Sequence, residues 1–173
     1  MSISTHPTNH HVVLIGSNAV RVTPFGIIGS QGWYYSTDAG EAWFGRDTLP
    51  VHDDINNIIL SNPTVTIDLD GTLYFNTIQI GQTSRDILTA ISMDNGANWI
   101  RSVVPGRING DKAHFTVDVN PNSPYEGYLY TAFTDFDQNF LGGGVKFSPS
   151  TNRGLTFGEA VPISDTIGRT LAQ

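Results

Sequence analysis

Short apolar runs separated by turn-forming residues recur along the whole chain. Residues 65–75 contain Val-Thr-Ile-Asp, then an Asp-Gly pair, then Thr-Leu-Tyr-Phe. β-Branched and aromatic runs on either side of Asp-Gly predict a strand, a tight turn and a second strand. Residues 115–133 predict the same hairpin with a longer turn, and residues 3–15 predict a third. No segment has a clear helical period, because the nearest candidate, 53–60, is interrupted by two asparagines.

An eight-residue pattern occurs three times, at 36–43 (box 1), 92–99 (box 2) and 150–157 (box 3). It reads Ser-x-Asp-x-Gly-x-x-Trp, with Asn for Asp and Phe for Trp in box 3, and the offsets are 56 and 58 residues. The fixed positions are Ser36, Asp38, Gly40, Trp43, Ser92, Asp94, Gly96, Trp99, Ser150, Asn152, Gly154 and Phe157. Even spacing of a motif along a chain indicates a repeat architecture.

Each repeat predicts four short antiparallel strands, with the third strand ending at the box and the fourth leaving it. Repeated units of this kind are typical of β-propeller blades. The predicted fold is therefore all-β, with three four-stranded blades that form half, or a fragment, of a six-bladed propeller. A single domain spans the whole chain, with blades at about 1–50, 51–106 and 107–163 and a tail at 164–173.

The repeated chemistry within the boxes predicts a structural role. The glycine of each box occupies a position where a tight turn needs a positive φ. The Asp or Asn side chain can accept hydrogen bonds from backbone N–H groups of the same turn. The closing Trp or Phe is expected to fold back between neighbouring blades. A catalytic or metal-binding role is less favoured, because one site would not need the same residues three times.

On these residues the boxes resemble the Asp-box (bacterial neuraminidase repeat) of sialidase-like β-propellers. Residues 111–118 and 123–130 also resemble the blade openings of Asp-box proteins of uncertain activity. The resemblance implies a sialidase-like propeller and a glycoside hydrolase-like protein that binds or hydrolyses carbohydrate. It further implies an extracellular or cell-surface location. The same family includes sorting receptors and photosystem assembly factors, so a non-catalytic module that binds a protein partner through its loop face is the alternative.

Charge and composition restrict the classes of partner. Nine Lys and Arg against 16 Asp and Glu give a net charge of -7, which works against a nucleic-acid partner. No apolar run approaches the roughly 20 residues that a membrane helix needs, so no membrane partner is predicted. The first residues show no signal peptide. The chain has no cysteine, which excludes disulfides, thiolate catalysis and cysteine-bound zinc.

The candidate site residues lie on the blade face opposite the boxes, in segments predicted to be loops, among them 18–31 and 105–114. The catalytic candidates are Asp111, Asp135 and Asp137, and the binding candidates are Arg85, Arg107, Lys112 and His114. The resemblance to sialidases implies that an active member would contain an Arg-Ile-Pro motif and a Tyr–Glu pair. This chain has Arg-Ile-Asn at 107–109 and no clear Tyr–Glu pair. No metal site or other cofactor is predicted, and calcium at Asp135 and Asp137 stays open.

Three blades alone do not close a ring, because propellers close with about four to eight blades. An open stack would expose two apolar blade faces. The sequence therefore predicts that the chain forms a homodimer or pairs with a complementary half-propeller. A fragment of a longer chain and an irregular stack capped by the tail are the remaining alternatives.

Overall fold

The computed structural model describes residues 1–24, 26–51, 59–81, 84–106, 108–136 and 143–165. Over these residues the chain forms twelve β-strands in three four-stranded antiparallel sheets, without a helix. The predicted all-β fold with three four-stranded units is confirmed. Among the described residues there is accordingly no helix of the length and apolar character needed to span a membrane.

The three sheets follow one another along the chain, and in each the strands are paired in sequence order. Sheet I contains β1 (Ser2–Thr5), β2 (Val13–Thr23), β3 (Gly26–Ser36) and β4 (Phe44–Arg46). Sheet II contains β5 (Ile59–Ile67), β6 (Leu73–Ile80), β7 (Arg85–Ser92) and β8 (Ile100–Val103). Sheet III contains β9 (Gly110–Val117), β10 (Leu129–Phe136), β11 (Gly143–Ser150) and β12 (Val161–Pro162).

Two apolar cores hold the sheets together, one on each side of sheet II. Leu14, Trp33 and Tyr35 of sheet I pack with residues of sheet II that include Phe75. On the opposite face of sheet II, Tyr74 packs in the second core with residues of sheet III. Alternate residues of a strand point to opposite faces, so β6 supplies both cores from adjacent positions. The first strands of the sheets, β1, β5 and β9, lie next to each other, as the innermost strands of propeller blades do.

The boxes form three turns with one hydrogen-bond pattern. The serine Oγ accepts the glycine N–H at 2.9 Å in box 1, 2.8 Å in box 2 and 2.9 Å in box 3. Oδ1 of Asp38 accepts the N–H of Ala42 at 2.9 Å, and Oδ1 of Asn152 accepts the N–H of Thr156 at the same distance. The glycines have φ of 94°, 86° and 82°. The residue before each glycine also has a positive φ, which the sequence pattern did not predict.

The closing aromatics differ in their surroundings. Phe157 of box 3 is 8% exposed in the core between sheets II and III. Trp99 of box 2 packs edge-on against Trp33, with ring centroids 5.2 Å apart. Trp43 of box 1 is instead 42% exposed, so the expectation that it packs between blades is wrong. The reason is that, among the described residues, no other sheet packs on the side of sheet I that carries box 1.

The strands are longer than the sequence predicted, at the expense of the loops. The predicted loop 18–31 is a hairpin, in which Asn18 pairs with Gln31 and Thr23 with Gly26. Residues 110–114, predicted to belong to a loop, begin strand β9. Backbone pairing carries the 18–31 hairpin beyond the buried core, where Val20 is 68% and Val22 is 78% exposed, because a hydrogen-bonded ladder does not require buried side chains.

Candidate functional site

A half-open cavity of about 250 Å³ lies where the three sheets meet beside their innermost strands. It is lined by Met1, Ser2, Asn18, Asn62, Pro63, Thr64, Lys112, Ala113 and His114. All three sheets therefore contribute to one concave surface. Functional sites concentrate on such concave surfaces of a rigid scaffold.

Two bulges shape this cavity. The pairing of β5 with β6 shifts between Ser61 and Thr64, and Asn62 within the shift has a φ of 54°. The pairing of β9 with β10 shifts beside Lys112, which also has a φ of 54°. A bulge adds a residue to one strand and redirects the neighbouring side chains, and bulges are common beside functional sites. Asparagine adopts a positive φ more readily than most residues, whereas lysine at this φ is unusual.

A chain of hydrogen bonds crosses the three sheets beside the cavity. Nε2 of Gln31 donates to Oδ1 of Asn18 at 3.1 Å, and the backbone N–H of Asn62 donates to the same oxygen at 3.2 Å. Nδ2 of Asn62 then donates to Oδ1 of Asp111 at 2.9 Å, and that oxygen also accepts the N–H of Lys112. Asn18 thus holds the backbone of Asn62, and Asp111 holds its side-chain amide, which orients that amide at the cavity wall.

Buried polar atoms near the cavity have unused hydrogen-bonding capacity. Gln31 is fully buried, and its Oε1 has no hydrogen-bond partner among the described residues. Oγ1 of Thr64, which lines the cavity, is also buried without a partner in this part of the chain. Buried polar atoms are normally satisfied, so an unsatisfied one requires an explanation. At a concave surface, a hydrogen bond to a polar ligand or to an ordered water explains such an atom.

The predicted site residues separate into three groups. Lys112 and His114 line the cavity. Asp111 does not line it, but its carboxylate accepts a hydrogen bond from the side chain of Asn62. Asp135 lies in β10, where Oδ1 accepts the N–H of Asn109 at 2.8 Å and Oδ2 is 2.7 Å from Nζ of Lys146. Arg107 and Asp137 lie outside the described residues.

Arg85, the remaining binding candidate, is the first residue of β7 and does not line the cavity. Its backbone forms an isolated parallel bridge with Asn109 and its N–H donates to the carbonyl of Ile108. Arg85 thus starts a strand and ties the crossing between sheets II and III to sheet II.

Sequence reasoning missed several residues of the cavity wall, namely Met1, Ser2, Asn18, Asn62 and Thr64. One signal was present in the sequence, because Asn62-Pro63 interrupts a run of strand-forming residues. Asparagine followed by proline inside a strand pattern indicates a bulge or an irregular turn. Within the described ranges, no cluster of three or more His, Asp or Glu is placed to hold a metal ion.

A second concavity, of about 280 Å³, lies on the open face of sheet III. Tyr130 and Phe147 form its floor, with stacked rings whose centroids are 6.0 Å apart. His114 lines both this groove and the polar cavity. The groove is mostly apolar, in contrast to the cavity beside the innermost strands.

Comparison with known proteins identifies the fold. No family model matches the sequence, and no curated protein matches it. Among solved structures, a protein of unknown function from Dyadobacter fermentans is similar with a TM-score of 0.66 and 15% identity, over 95% of this chain and 41% of that one. The Hadza microbial sialidase Hz136 is similar with a TM-score of 0.63 and 17% identity, over 93% of this chain and 32% of that one.

A glycosyl hydrolase from Bacteroides ovatus is also similar, with a TM-score of 0.57 and 13% identity, over 97% of this chain and 49% of that one. The chain therefore spans between about a third and a half of the length of these three structures. Identities this low show the fold alone. The fold is that of part of a propeller of the sialidase and glycoside hydrolase type.

Proposed function

We propose that this chain is part of an Asp-box, sialidase-like propeller and binds carbohydrate in the cavity lined by Asn18, Asn62 and Lys112. The observation that carries the proposal is the chain of hydrogen bonds that fixes Asn62 between Asn18 and Asp111. Sugar hydroxyls both donate and accept hydrogen bonds, and pre-oriented amides are matched to them at little entropic cost. The proposal includes an extracellular or cell-surface location, where glycans are displayed.

Binding is favoured over hydrolysis by the residues of the cavity wall. No carboxylate lines it among the described residues. Glycosidases usually need a pair of carboxyl groups at the scissile bond, and sialidases need a tyrosine nucleophile beside an acid. Asp111 accepts hydrogen bonds from Asn62 and from the backbone of Lys112, which suits a positioning residue. Lys112 supplies the cation that would select an acidic sugar over a neutral one.

The test is titration calorimetry of the chain with a panel of neutral sugars and N-acetylneuraminic acid, repeated with Asn62→Gly. Glycine keeps the positive φ of this bulge and removes only the side-chain amide. The control is Glu159→Gln, which changes an exposed residue that does not line the cavity. We expect Asn62→Gly to weaken sugar binding about tenfold or more, the cost of one or two lost hydrogen bonds, with Glu159→Gln unchanged.

Two results would overturn this proposal. One is the absence of heat with every sugar at millimolar concentration. The other is an affinity that Asn62→Gly leaves intact, which would place the sugar elsewhere. Absence of sugar binding together with capture of a defined protein ligand by the loop face would instead favour a non-catalytic interaction module.

A further inference from the structure

Each internal contact between sheets is built from the same two surfaces. The leading face of a sheet is the face that packs on the next sheet, and in sheet I it carries Leu14 and Trp33. The trailing face packs on the preceding sheet, and in sheet II it carries Val65 and Phe75. A Cβ on Gly16 of sheet I would lie 2.8 Å from Val65 and 2.9 Å from Phe75, so these two faces are in close contact.

The box of each sheet belongs to its trailing side. A Cβ on Gly96 of box 2 would lie 2.3 Å from the ring of Trp33, and one on Gly154 of box 3 would lie 3.1 Å from Ile91. The box glycines are therefore packed beneath side chains of the preceding sheet. Gly40 of box 1 differs, because the three atoms nearest to a Cβ at this position would all belong to Trp43 of the same box. Box 1 thus has the same turn as boxes 2 and 3, but its glycine is not packed beneath side chains of another sheet among the described residues.

The leading face of sheet III repeats the positions that sheets I and II bury. Tyr130, Tyr74 and Leu14 each follow the residue that pairs with the serine of their box, so the three positions are equivalent. Tyr74 and Leu14 are both fully buried. Phe147 is likewise equivalent to Trp33, which is 5% exposed. Tyr130 and Phe147 are only half-buried and form the floor of the apolar groove.

The trailing face of sheet I shows the complementary exposure. Ile3 is 66% exposed, whereas Val65, at the equivalent position of sheet II, is 7% exposed. Trp43 and Phe157 show the same contrast between box 1 and box 3, at 42% and 8%. Large apolar residues at these positions are thus buried wherever a sheet follows or precedes them.

From this we infer that the leading face of sheet III binds the trailing face and box 1 of a second copy of this chain. Two copies related by a two-fold axis would make this contact twice, and the six sheets would close into a ring. A second copy is the occupant because the chain itself already joins a leading to a trailing face twice. The two faces that are exposed among the described residues carry the two halves of that same contact.

The native mass is the first test. The full chain, measured by light scattering after size exclusion at micromolar concentration, should have a mass of about twice 18.8 kDa. A mass of 18.8 kDa would overturn the inference, and so would any mass other than the pair. A continuation of the same chain as the true occupant would give the monomer result, so the measurement separates these two occupants.

Single acidic substitutions on either face should separate the pair. Ile3→Asp and Tyr130→Asp change the trailing and leading faces, and each should raise the dissociation constant about 100-fold or more, because each places a charge in a dry apolar contact. The matched control is Met93→Asp, since Met93 is 62% exposed at box 2 but lies on neither free face. Circular dichroism checks the fold, and a pair that survives both substitutions would contradict the inference.

A gain of affinity provides the sharper test. In box 3, Arg153 precedes the glycine with a φ of 57° and pairs with Asp68 and Asp70 of the preceding sheet. Box 1 has Ala39 at this position, with a φ of 60°. In the proposed pair, Ala39 faces the turn of the other copy that contains Asp118, the equivalent of Asp68.

Ala39→Arg should therefore tighten the pair about three- to tenfold at low salt, and Ala39→Asp should weaken it by a similar factor. The φ of Ala39 is close to that of Arg153, so neither substitution requires a new backbone conformation. Equal effects of the two substitutions, or no effect of either, would place box 1 outside the contact and contradict the inference.

Discussion

The hydroxyl of Tyr35 donates a hydrogen bond of 3.1 Å to Oδ1 of Asn95, which joins sheet I to box 2 of sheet II. Asn95 is the residue between the aspartate and the glycine of its box. At the same position of box 3, Arg153 pairs with Asp70 of sheet II. The recurring residues of a box thus build the turn, while the variable residue before the glycine links sheets II and III each to the preceding sheet.

The Tyr35–Asn95 bond should contribute measurably to stability. Tyr35→Phe should lower the free energy of unfolding by about 1 kcal/mol, the usual net contribution of one hydrogen bond in a partly buried setting. Asn95→Ala should cost more, because alanine adopts the φ of 58° at this position less readily than asparagine does. In urea unfolding, the double variant should lose little more than Asn95→Ala alone, because both substitutions remove the same bond. Fully additive losses would mean that the two side chains act independently.

The packing of Trp33 on Gly96 can be separated from the conformation of the turn. Gly96→Ala places a methyl group 2.3 Å from ring carbons of Trp33, whereas Gly40→Ala meets only the exposed Trp43 at 3.2 Å. Their φ values of 86° and 94° are similar. We therefore expect Gly40→Ala to cost about 1 kcal/mol for the backbone and Gly96→Ala about 2–4 kcal/mol for backbone and overpacking.

Urea unfolding of the two variants makes this comparison directly. Gly40→Ala serves as the control for the backbone cost, since the atoms nearest to a Cβ at Gly40 all belong to the exposed Trp43 of the same box. Equal losses in the two variants would show that the turn conformation alone explains the box glycine. A larger loss at Gly96 would assign the difference to contact with the preceding sheet.

The features that the sequence predicted are those formed within a few residues of each other. Box 1 and box 2 could be recognised because Ser, Asp and Gly bond within one turn. The lengths of the strands could not, because pairing of 18–31 depends on a backbone ladder between β2 and β3 that extends beyond the buried core. The exposure of Trp43 depends on whether another sheet packs on box 1, which no local pattern records.

The candidate site was predictable only in part for the same reason. Lys112 and His114 were predicted as binding residues in the loop 105–114, and both line the cavity, although they lie in strand β9. Asn18 and Asn62 carry the hydrogen-bond chain, but 44 residues separate them in the sequence. Asn62 and Asp111 are 49 residues apart. Only the packing of three innermost strands brings such residues together.

Acid should weaken boxes 1 and 2 but not box 3. The backbone N–H of Ala42 is the main reason that the pKa of Asp38 lies below its usual 3.8, and the N–H of Asn98 acts likewise on the pKa of Asp94. A carboxyl whose pKa is lower in the folded state stabilises the fold above its unfolded pKa. That stabilisation is lost as the pH falls through the folded pKa. Asn152 makes the corresponding bonds without a charge.

Asp94→Asn should therefore flatten the fall in Tm as the pH decreases from about 5 to about 2, while lowering the Tm slightly at neutral pH, where a charge-assisted bond is lost. The reciprocal variant, Asn152→Asp, should steepen that fall. Tm measured by circular dichroism across this range checks both. If Asp94→Asn and the wild-type chain lose Tm in parallel in acid, the box carboxylates are not the groups that control acid stability.

Asp111 should act on the cavity by positioning Asn62 and the backbone of Lys112, without contacting the sugar itself. Its Oδ1 accepts the Nδ2–H of Asn62 at 2.9 Å, and an asparagine at 111 can present the same acceptor. Asp111→Asn should therefore keep sugar affinity within about threefold, whereas Asp111→Ala should lower it about tenfold by releasing Asn62. Titration calorimetry with the sugar that binds best measures both variants against the wild-type chain. A loss in Asp111→Asn as large as that in Asp111→Ala would mean that the negative charge itself, and not the orientation of Asn62, supports binding.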